Sequence, residues 1–223
     1  IVYLVIEPTL AIMHKDKIEN NRREKLESLN KMMGVTTVAA EAPGMDAGTS
    51  ATAQMLQGGL NADGDYVYDT GNVQEVKLNN KAILIGQNGQ LYALYNGIKL
   101  KDQALLDPNT WFTIENLHFQ SGSGDLKPGS ETQLANLAEI LNAYPNVRVK
   151  VGGYTDDTGN PDSNMKLSNL RAQTAKLKLL EMGISGDRVE AEGYGPLFPV
   201  CEANDTDECK AQNRRIDVRL LSF

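Results

Sequence analysis

Residues 149–171, with the sequence VKVGGYTDDTGNPDSNMKLSNLR, predict a strand that passes through a turn into a helix. Val149 and Val151 alternate with charged neighbours, which is the pattern of a half-buried strand. The two glycines at 152–153 indicate that the backbone at the strand end lies close to another element. Residues 155–159, TDDTG, have the composition of a tight turn.

The helix after this turn places functional side chains on one face. Asn164, Leu167 or Ser168, and Arg171 recur at the spacing of successive helical turns. Asp156 precedes them at the end of the strand. The carboxylate of Asp156 and the guanidinium of Arg171 are therefore expected to converge on one small zwitterion.

Strand-like and helix-like segments alternate from residue 111 onward. Strands are predicted at 111–119, 147–151, 188–194 and 214–221, and helices at 128–144 and 164–182. This alternation predicts an α/β fold of two layers with helices on one side of a sheet. The side of the second helix that faces the sheet is expected to comprise Leu167, Leu170, Thr174, Leu177 and Leu180 or Glu181. Arg214 has the parity of the apolar residues in the last strand, which places it near the junction.

Several short motifs occur in a family-specific order. They are the strand at 111–119 with Gly122 after it, GYTDDTG at 153–159, Asn164 with Leu167-Ser168 and Arg171-Ala172, Gly183-Ile184 with Arg188, GYG at 193–195 with Pro199, and NRR at 213–215. With these motifs, residues 111–223 resemble the OmpA-like domain, the peptidoglycan-binding module shared by OmpA, Pal and MotB. The resemblance covers roughly half of the chain, and residues 64–110 are only weakly similar to the segment that precedes this domain in some members.

The resemblance implies a βαβαββ sandwich with a mixed sheet and a non-covalent ligand site without cofactor or metal. The ligand would be the diaminopimelate residue of a peptidoglycan stem peptide. Asp156 would accept hydrogen bonds from its ammonium, and Arg171 would bind its carboxylate through a planar fork. Thr155, Asn164, Leu167 and Arg214 also match positions near the ligand in the family. The expected location is the periplasm of a Gram-negative bacterium, with anchoring to the outer or inner membrane.

Purely structural roles also fit the same residues. Asp156 could organise its turn, Arg171 could pair with an acid such as Asp162, and Asn164 could cap the helix, as could Asp162 or Ser163. Composition and spacing alone favour these roles, and the ordered family motifs favour ligand binding.

Other functions remain as alternatives to a cell-wall tether. One is a stator-like motor component, and another is an adaptor that binds envelope proteins through the N-terminal half. A wall hydrolase that uses Asp156 and Asp157 is a third, although adjacent residues of an extended chain point apart and no nucleophile or metal cluster accompanies them. The residues therefore favour a binding protein over an enzyme.

Charge and cysteine content narrow the class of partner. A net charge of −7 disfavours binding to nucleic acid or to an anionic membrane surface. The two cysteines, Cys201 and Cys209, favour a disulfide in an oxidising compartment. His14 and His118 are isolated, which indicates structural or surface roles.

Two features depart from the family pattern. Tyr154 stands where many members have histidine. The loop between the cysteines is acidic and is expected beside the pocket mouth, where it could tune access. Its carboxylates are Glu202, Asp205, Asp207 and Glu208.

The N-terminal half is predicted to contain a helix and linker at 1–64 and a small β-rich module at 65–110. Residues 1–6 are apolar and are either a buried strand or the trailing end of an anchor. A helix is expected at 15–33 and a linker at 39–64. In the module, strands are expected at 66–68, 73–78, 82–85 and 91–95, and the module could instead be an extension packed on the C-terminal domain. Asn61, Asp63 and Asp65 resemble a calcium loop in spacing, but the glycine and closing glutamate of an EF-hand are misplaced.

Overall fold

A computed structural model describes residues 57–79 and 81–223. The predicted apolar run at 1–6, the helix at 15–33 and most of the linker at 39–64 lie outside the described residues. Residues 58–60, at the end of the predicted linker, form a strand instead. They pair antiparallel with residues 66–68, and the two strands exchange backbone hydrogen bonds.

The described part of the chain forms eight strands and four α-helices. The strands are β1 (Gly58–Leu60), β2 (Tyr66–Tyr68), β3 (Val73–Leu78), β4 (Lys81–Gly86), β5 (Phe112–Thr113), β6 (Arg148–Tyr154), β7 (Val189–Gly195) and β8 (Ile216–Ser222). The helices are α1 (Gln90–Leu100), α2 (Glu131–Ala143), α3 (Pro161–Glu181) and α4 (Asp207–Asn213). Short 3-10 turns lie at Gln103–Leu106 and Gly186–Arg188.

The C-terminal part is built on a four-stranded sheet in the order β5-β8-β6-β7. β6 and β7 are parallel, and β8 is antiparallel to both β6 and β5. Parallel neighbours need a crossover, which α3 supplies by packing across β6 and β7. The predicted mixed sheet in a two-layer βαβαββ fold is confirmed, with α4 as an unpredicted addition between β7 and β8.

The predicted strand at 91–95 is wrong, because these residues belong to α1. Leu91, Leu94, Tyr95 and Ile98 are buried and follow helical spacing. Residues 91–95 alone resemble the alternation of a strand, and the helical spacing is seen only when Ile98 is included.

One hydrophobic core contains side chains from both halves of the described chain. Ile85 and Leu94 belong to the same cluster as Phe112, Leu137 and Val149. Residues on both sides of position 110 therefore share one core, while the predicted domain boundary at 110 itself stays a prediction.

The predicted strand at 111–119 is much shorter than expected. Only Phe112 and Thr113 pair with β8, and the backbone of Asn116 then adopts a left-handed conformation with φ 59°. This conformation ends the extended run, because a strand needs negative φ values. Phe119 forms only an isolated bridge with Leu126.

The predicted apolar side of α3 is also wrong. Leu170 and Leu177 are 52% and 57% exposed, whereas Ser168, Ala172, Ala175 and Leu179 are buried. The N-cap is Asn160 and not the predicted Asp162 or Ser163, since the side chain of Asn160 accepts a hydrogen bond from the backbone of Ser163.

Small residues face the sheet because α3 lies unusually close to it. A β-carbon at Gly153 would lie 2.2 Å from the carbonyl oxygen of Ser168, and one at Gly193 would lie 2.1 Å from the backbone nitrogen of Asn169. The hydroxyl of Ser168 also accepts a hydrogen bond from the backbone of Gly195, at 2.8 Å. Backbone contact therefore sets the rotation of α3 about its axis.

We expect Gly193→Ala to lower the free energy of unfolding by about 3 kcal/mol, because the added methyl group must push α3 from the sheet. Gly59→Ala is the matched control, since a β-carbon there meets nothing within 4 Å. Urea denaturation of both variants measures the difference. Equal stability of the two variants would contradict the close approach of α3.

Glu115 follows β5 in the chain, and its fully buried carboxylate lies against the first turn of α1. Its Oε1 atom accepts hydrogen bonds from the backbone of Gln90 and Leu91. Burial nevertheless raises the pKa of Glu115 to about 7, against the opposing effect of these hydrogen bonds. The folded protein therefore holds this proton more tightly than the unfolded chain.

The stabilising effect of protonated Glu115 is present below the unfolded pKa of 4.5 and is lost as pH rises through about 7. Relative to Glu115→Gln, we expect the free energy of unfolding of the wild type to fall by about 3 kcal/mol over this range. Urea denaturation at a series of pH values measures the difference. A difference that stays constant across the range would refute this role of Glu115.

Candidate functional site

Asp156 lies in the turn that follows β6. Its Oδ1 atom accepts a hydrogen bond from the backbone of Thr158 at 2.9 Å, so it organises the turn as one sequence interpretation expected. Its Oδ2 atom also pairs with Nη1 of Arg214 at 2.9 Å. The Asp156 side chain keeps 13% of its surface exposed, which leaves the carboxylate partly accessible.

Arg171 is held by loop carbonyls on the opposite side of the site. Its Nε donates to the carbonyl oxygen of Ser123 at 3.0 Å and its Nη2 to that of Gln120 at 3.3 Å. The guanidinium carbon lies 5.2 Å from the ring centre of Phe119. These partners replace the alternative ion pair with Asp162, which is therefore wrong.

Burial lowers the pKa of Arg171 to about 10, and the nearby charge of Arg214 acts in the same direction. The carboxylates of Asp156 and Asp65 oppose this effect. Arg171 stays protonated at neutral pH, but its charge is desolvated and faces a second cation. An incoming anion would relieve both costs.

Asn164 and Thr155 complete the turn. The Asn164 amide donates to the carbonyl oxygens of Asp156 and Thr158 at 3.3 Å and 3.0 Å, so Asn164 braces the turn and does not cap α3. The Thr155 backbone donates to Gly195, whereas its buried hydroxyl has no hydrogen-bond partner within residues 57–79 and 81–223.

These side chains surround a single cavity of about 340 Å³. Its lining includes all six predicted site residues, namely Thr155, Asp156, Asn164, Leu167, Arg171 and Arg214. The tertiary structure thus brings together residues that are up to 59 positions apart in sequence (155 to 214). Their roles in ligand binding stay a prediction.

The sequence did not indicate the residues that form the opposite wall. Asp65 and Lys127 form an ion pair of 2.6 Å that lines the cavity, together with His118. Burial lowers the pKa of His118, which Asp65 partly counteracts. The prediction that His118 is isolated is therefore wrong. For this wall of the cavity, the sequence offered only the calcium-loop-like spacing of Asn61, Asp63 and Asp65.

Residues 118–214 match the OmpA family. They form an OmpA-family domain. The probable lipoprotein YiaD of Escherichia coli is 42% identical over 105 residues, which cover 47% of this chain and 48% of YiaD. The peptidoglycan-binding protein ArfA of Mycobacterium tuberculosis is 35% identical over 100 residues, which cover 45% of this chain and 30% of ArfA. The chain thus spans about half or less of the length of these curated relatives.

Solved structures that are similar to part of this chain include the peptidoglycan-associated lipoprotein of Burkholderia pseudomallei. It is 26% identical, with a TM-score of 0.44, and the match covers 47% of this chain and 87% of that one. The cell wall anchor of the T6SS from Pseudomonas aeruginosa is 28% identical, with a TM-score of 0.43, and the match covers 51% and 80% of the two chains.

The cysteine loop supports the OmpA-family domain behind the Asp156 turn. The predicted disulfide between Cys201 and Cys209 is confirmed. Asn213 accepts hydrogen bonds from the backbone of Val200 and Cys201, and its amide reaches Asn204 at 2.9 Å. This network connects the loop to the start of β8.

Asp157 belongs to this network. Its Oδ1 atom accepts a hydrogen bond from the Asn204 amide, so it turns towards the cysteine loop while Asp156 pairs with Arg214. The two carboxylates therefore have separate partners, which does not favour the paired acid and base of a hydrolase.

The acidic residues of the loop lie elsewhere. Of the described residues in this loop and α4, Ala211 contributes to the cavity lining, and the four acidic side chains at 202, 205, 207 and 208 do not. The expectation that they stand at the pocket mouth therefore finds no support in the lining.

Residues 57–79 and 81–223 contain no group of three or more His, Cys, Asp or Glu side chains that could hold a metal ion. Within the same residues, no helix has the length and apolar character needed to cross a bilayer.

We expect Cys201→Ser with Cys209→Ser to lower the free energy of unfolding by about 2–3 kcal/mol, because the disulfide closes a short loop. Thermal unfolding with and without reductant measures this effect. Reductant should lower the unfolding temperature of the wild type and leave that of the double variant unchanged. No effect of reductant on the wild type would show that the disulfide does not stabilise the fold.

Proposed function

We propose that this protein binds peptidoglycan non-covalently through the diaminopimelate residue of the stem peptide and tethers an envelope protein to the cell wall. The observation that carries the proposal is the placement of Asp156 and Arg171 on one cavity, with the guanidinium buried and the carboxylate partly exposed. The relative ArfA is named a peptidoglycan-binding protein, which supports this choice of ligand.

The free end of diaminopimelate carries an ammonium and a carboxylate on one carbon. Asp156 would accept from the ammonium, sharing its charge with Arg214. Arg171 would receive the carboxylate at Nη1, which has no hydrogen-bond partner among the described residues, since Nε and Nη2 hold the loop. The unpartnered hydroxyl of Thr155 would supply a further polar contact.

Binding of this kind involves no chemical step, so the proposal is a wall anchor and not an enzyme. The location would be the periplasm of a Gram-negative bacterium, with attachment to the outer or inner membrane. The N-terminal half would then serve as spacer or as a surface for other envelope proteins. A stator component or an adaptor remains the alternative, and an adaptor would fold normally without binding the wall.

We expect Asp156→Ala and Arg171→Ala each to weaken binding to peptidoglycan sacculi by about thirtyfold or more, because each removes one half of the zwitterion site. Co-sedimentation with purified sacculi measures the bound fraction. Arg171→Lys should keep the positive charge without restoring binding, since one lysine ammonium cannot hold the carbonyl oxygens of Ser123 and Gln120 and also supply the donor that Nη1 offers to the ligand.

Arg148→Ala is the matched control, because Arg148 forms an exposed pair with Glu190 outside the cavity lining. Its binding should equal that of the wild type. Thermal unfolding of every variant separates lost binding from lost folding. Wild-type binding by folded Asp156→Ala and Arg171→Ala would overturn the site assignment, and turnover of the wall would favour a hydrolase.

A further inference from the structure

The hairpin of β1 and β2 closes one side of the cavity. The Asn61 side chain accepts hydrogen bonds from the backbone of Asp63 and Asp65, each at 2.9 Å, which fixes the loop between the strands. The carbonyl oxygen of Gly64 then accepts from Nη2 of Arg214 at 2.9 Å. Since Nη1 of Arg214 pairs with Asp156, one guanidinium connects the zwitterion site to the hairpin. The hairpin lies outside the segment that matches the OmpA family.

A second charged area lies in the same cavity, where Asp65 of the hairpin meets His118 and Lys127. We call these three residues the hairpin subsite. The Asp65 and Lys127 side chains are 15% and 22% exposed, so the pair is sheltered but still open to the cavity. Lysine has three donors, and Asp65 takes one of them. Within the described chain, the ammonium of Lys127 has no other hydrogen-bond partner, which leaves donors for a ligand.

The cavity offers the ammonium of Lys127 to an additional anion. Its lining carries three cations, Arg171, Arg214 and Lys127, and three carboxylates, Asp63, Asp65 and Asp156, of which Asp63 is exposed. A zwitterionic end group brings no net charge and leaves the donors of Lys127 unused. A ligand with one more carboxylate would use those donors.

We propose that the hairpin subsite binds a second carboxylate of the stem peptide, the free α-carboxylate of the D-glutamyl residue that precedes diaminopimelate. The inference rests on the proposed function, because it extends the same ligand along the same cavity. It assigns Lys127 as a specificity residue for stem peptides whose glutamyl carboxylate is free and not amidated. Asp65 would position the lysine ammonium towards the ligand.

Calorimetric titration with three probes tests the subsite: free meso-diaminopimelate, γ-D-glutamyl-meso-diaminopimelate, and the same dipeptide with the glutamyl α-carboxylate as a carboxamide. We expect the wild type to bind the carboxylate dipeptide about tenfold more tightly than the carboxamide, because a charge-assisted hydrogen bond is lost. Lys127→Met should bring this ratio close to one, and its affinity for free diaminopimelate should fall much less than its affinity for the carboxylate dipeptide. Lys81→Met, which removes a lysine paired with Glu139 at 2.6 Å outside the cavity lining, should retain the wild-type ratio.

Equal wild-type affinity for the two dipeptides would overturn the subsite. So would an equal loss of affinity for free diaminopimelate and the dipeptide in Lys127→Met, since the lysine would then serve the diaminopimelate itself. If sacculus binding by the wild type persists and Asp156→Ala abolishes it, the proposed function stands while the subsite fails. If the wild type binds neither sacculi nor any probe, both fail together.

Discussion

The close contact between α3 and the sheet determines the geometry of everything around the cavity. Gly153 and Gly193 allow the helix backbone to reach the strands, and the Ser168 hydroxyl binds Gly195 from the helix side. With α3 fixed in this way, Arg171 lies one turn further along, on the buried face and beside the loop at 120–123. A larger residue at either glycine would displace the guanidinium from the turn that carries Asp156.

The site combines two arginines with few carboxylates in a partly desolvated space. Arg214 is neutralised by Asp156 and anchored to Gly64, whereas Arg171 is held by neutral carbonyls and the ring of Phe119. Neutral partners satisfy the geometry of a guanidinium without cancelling its charge, so Arg171 retains attraction for an anion. The cysteine loop supports this arrangement from behind through Asn204 and Asp157.

Sequence reasoning succeeded where a local pattern had one interpretation. The buried residues of α2 and the alternation in β6 follow simple periodicities, and the ordered motifs from 153 to 215 indicated which six residues share a cavity. It failed where two patterns overlap, as in α1, whose first apolar residues fit a strand until Ile98 is counted. It also failed for α3, because the exposed Leu170 and Leu177 outrank Ser168 and Ala172 in hydrophobicity although the latter are buried.

The sequence by itself determined the order α2-β6-α3-β7, the turn at Asp156, the cysteine pairing and the identity of the two opposite charges that a zwitterion needs. These are properties of neighbouring residues or of a recognisable motif order. Only the tertiary structure decided which face of α3 is buried and that Asp65 of a distant hairpin meets Lys127 at the same cavity. The physical reason is that backbone approach and long-range charge pairing depend on how the elements pack, which no periodicity in the chain encodes.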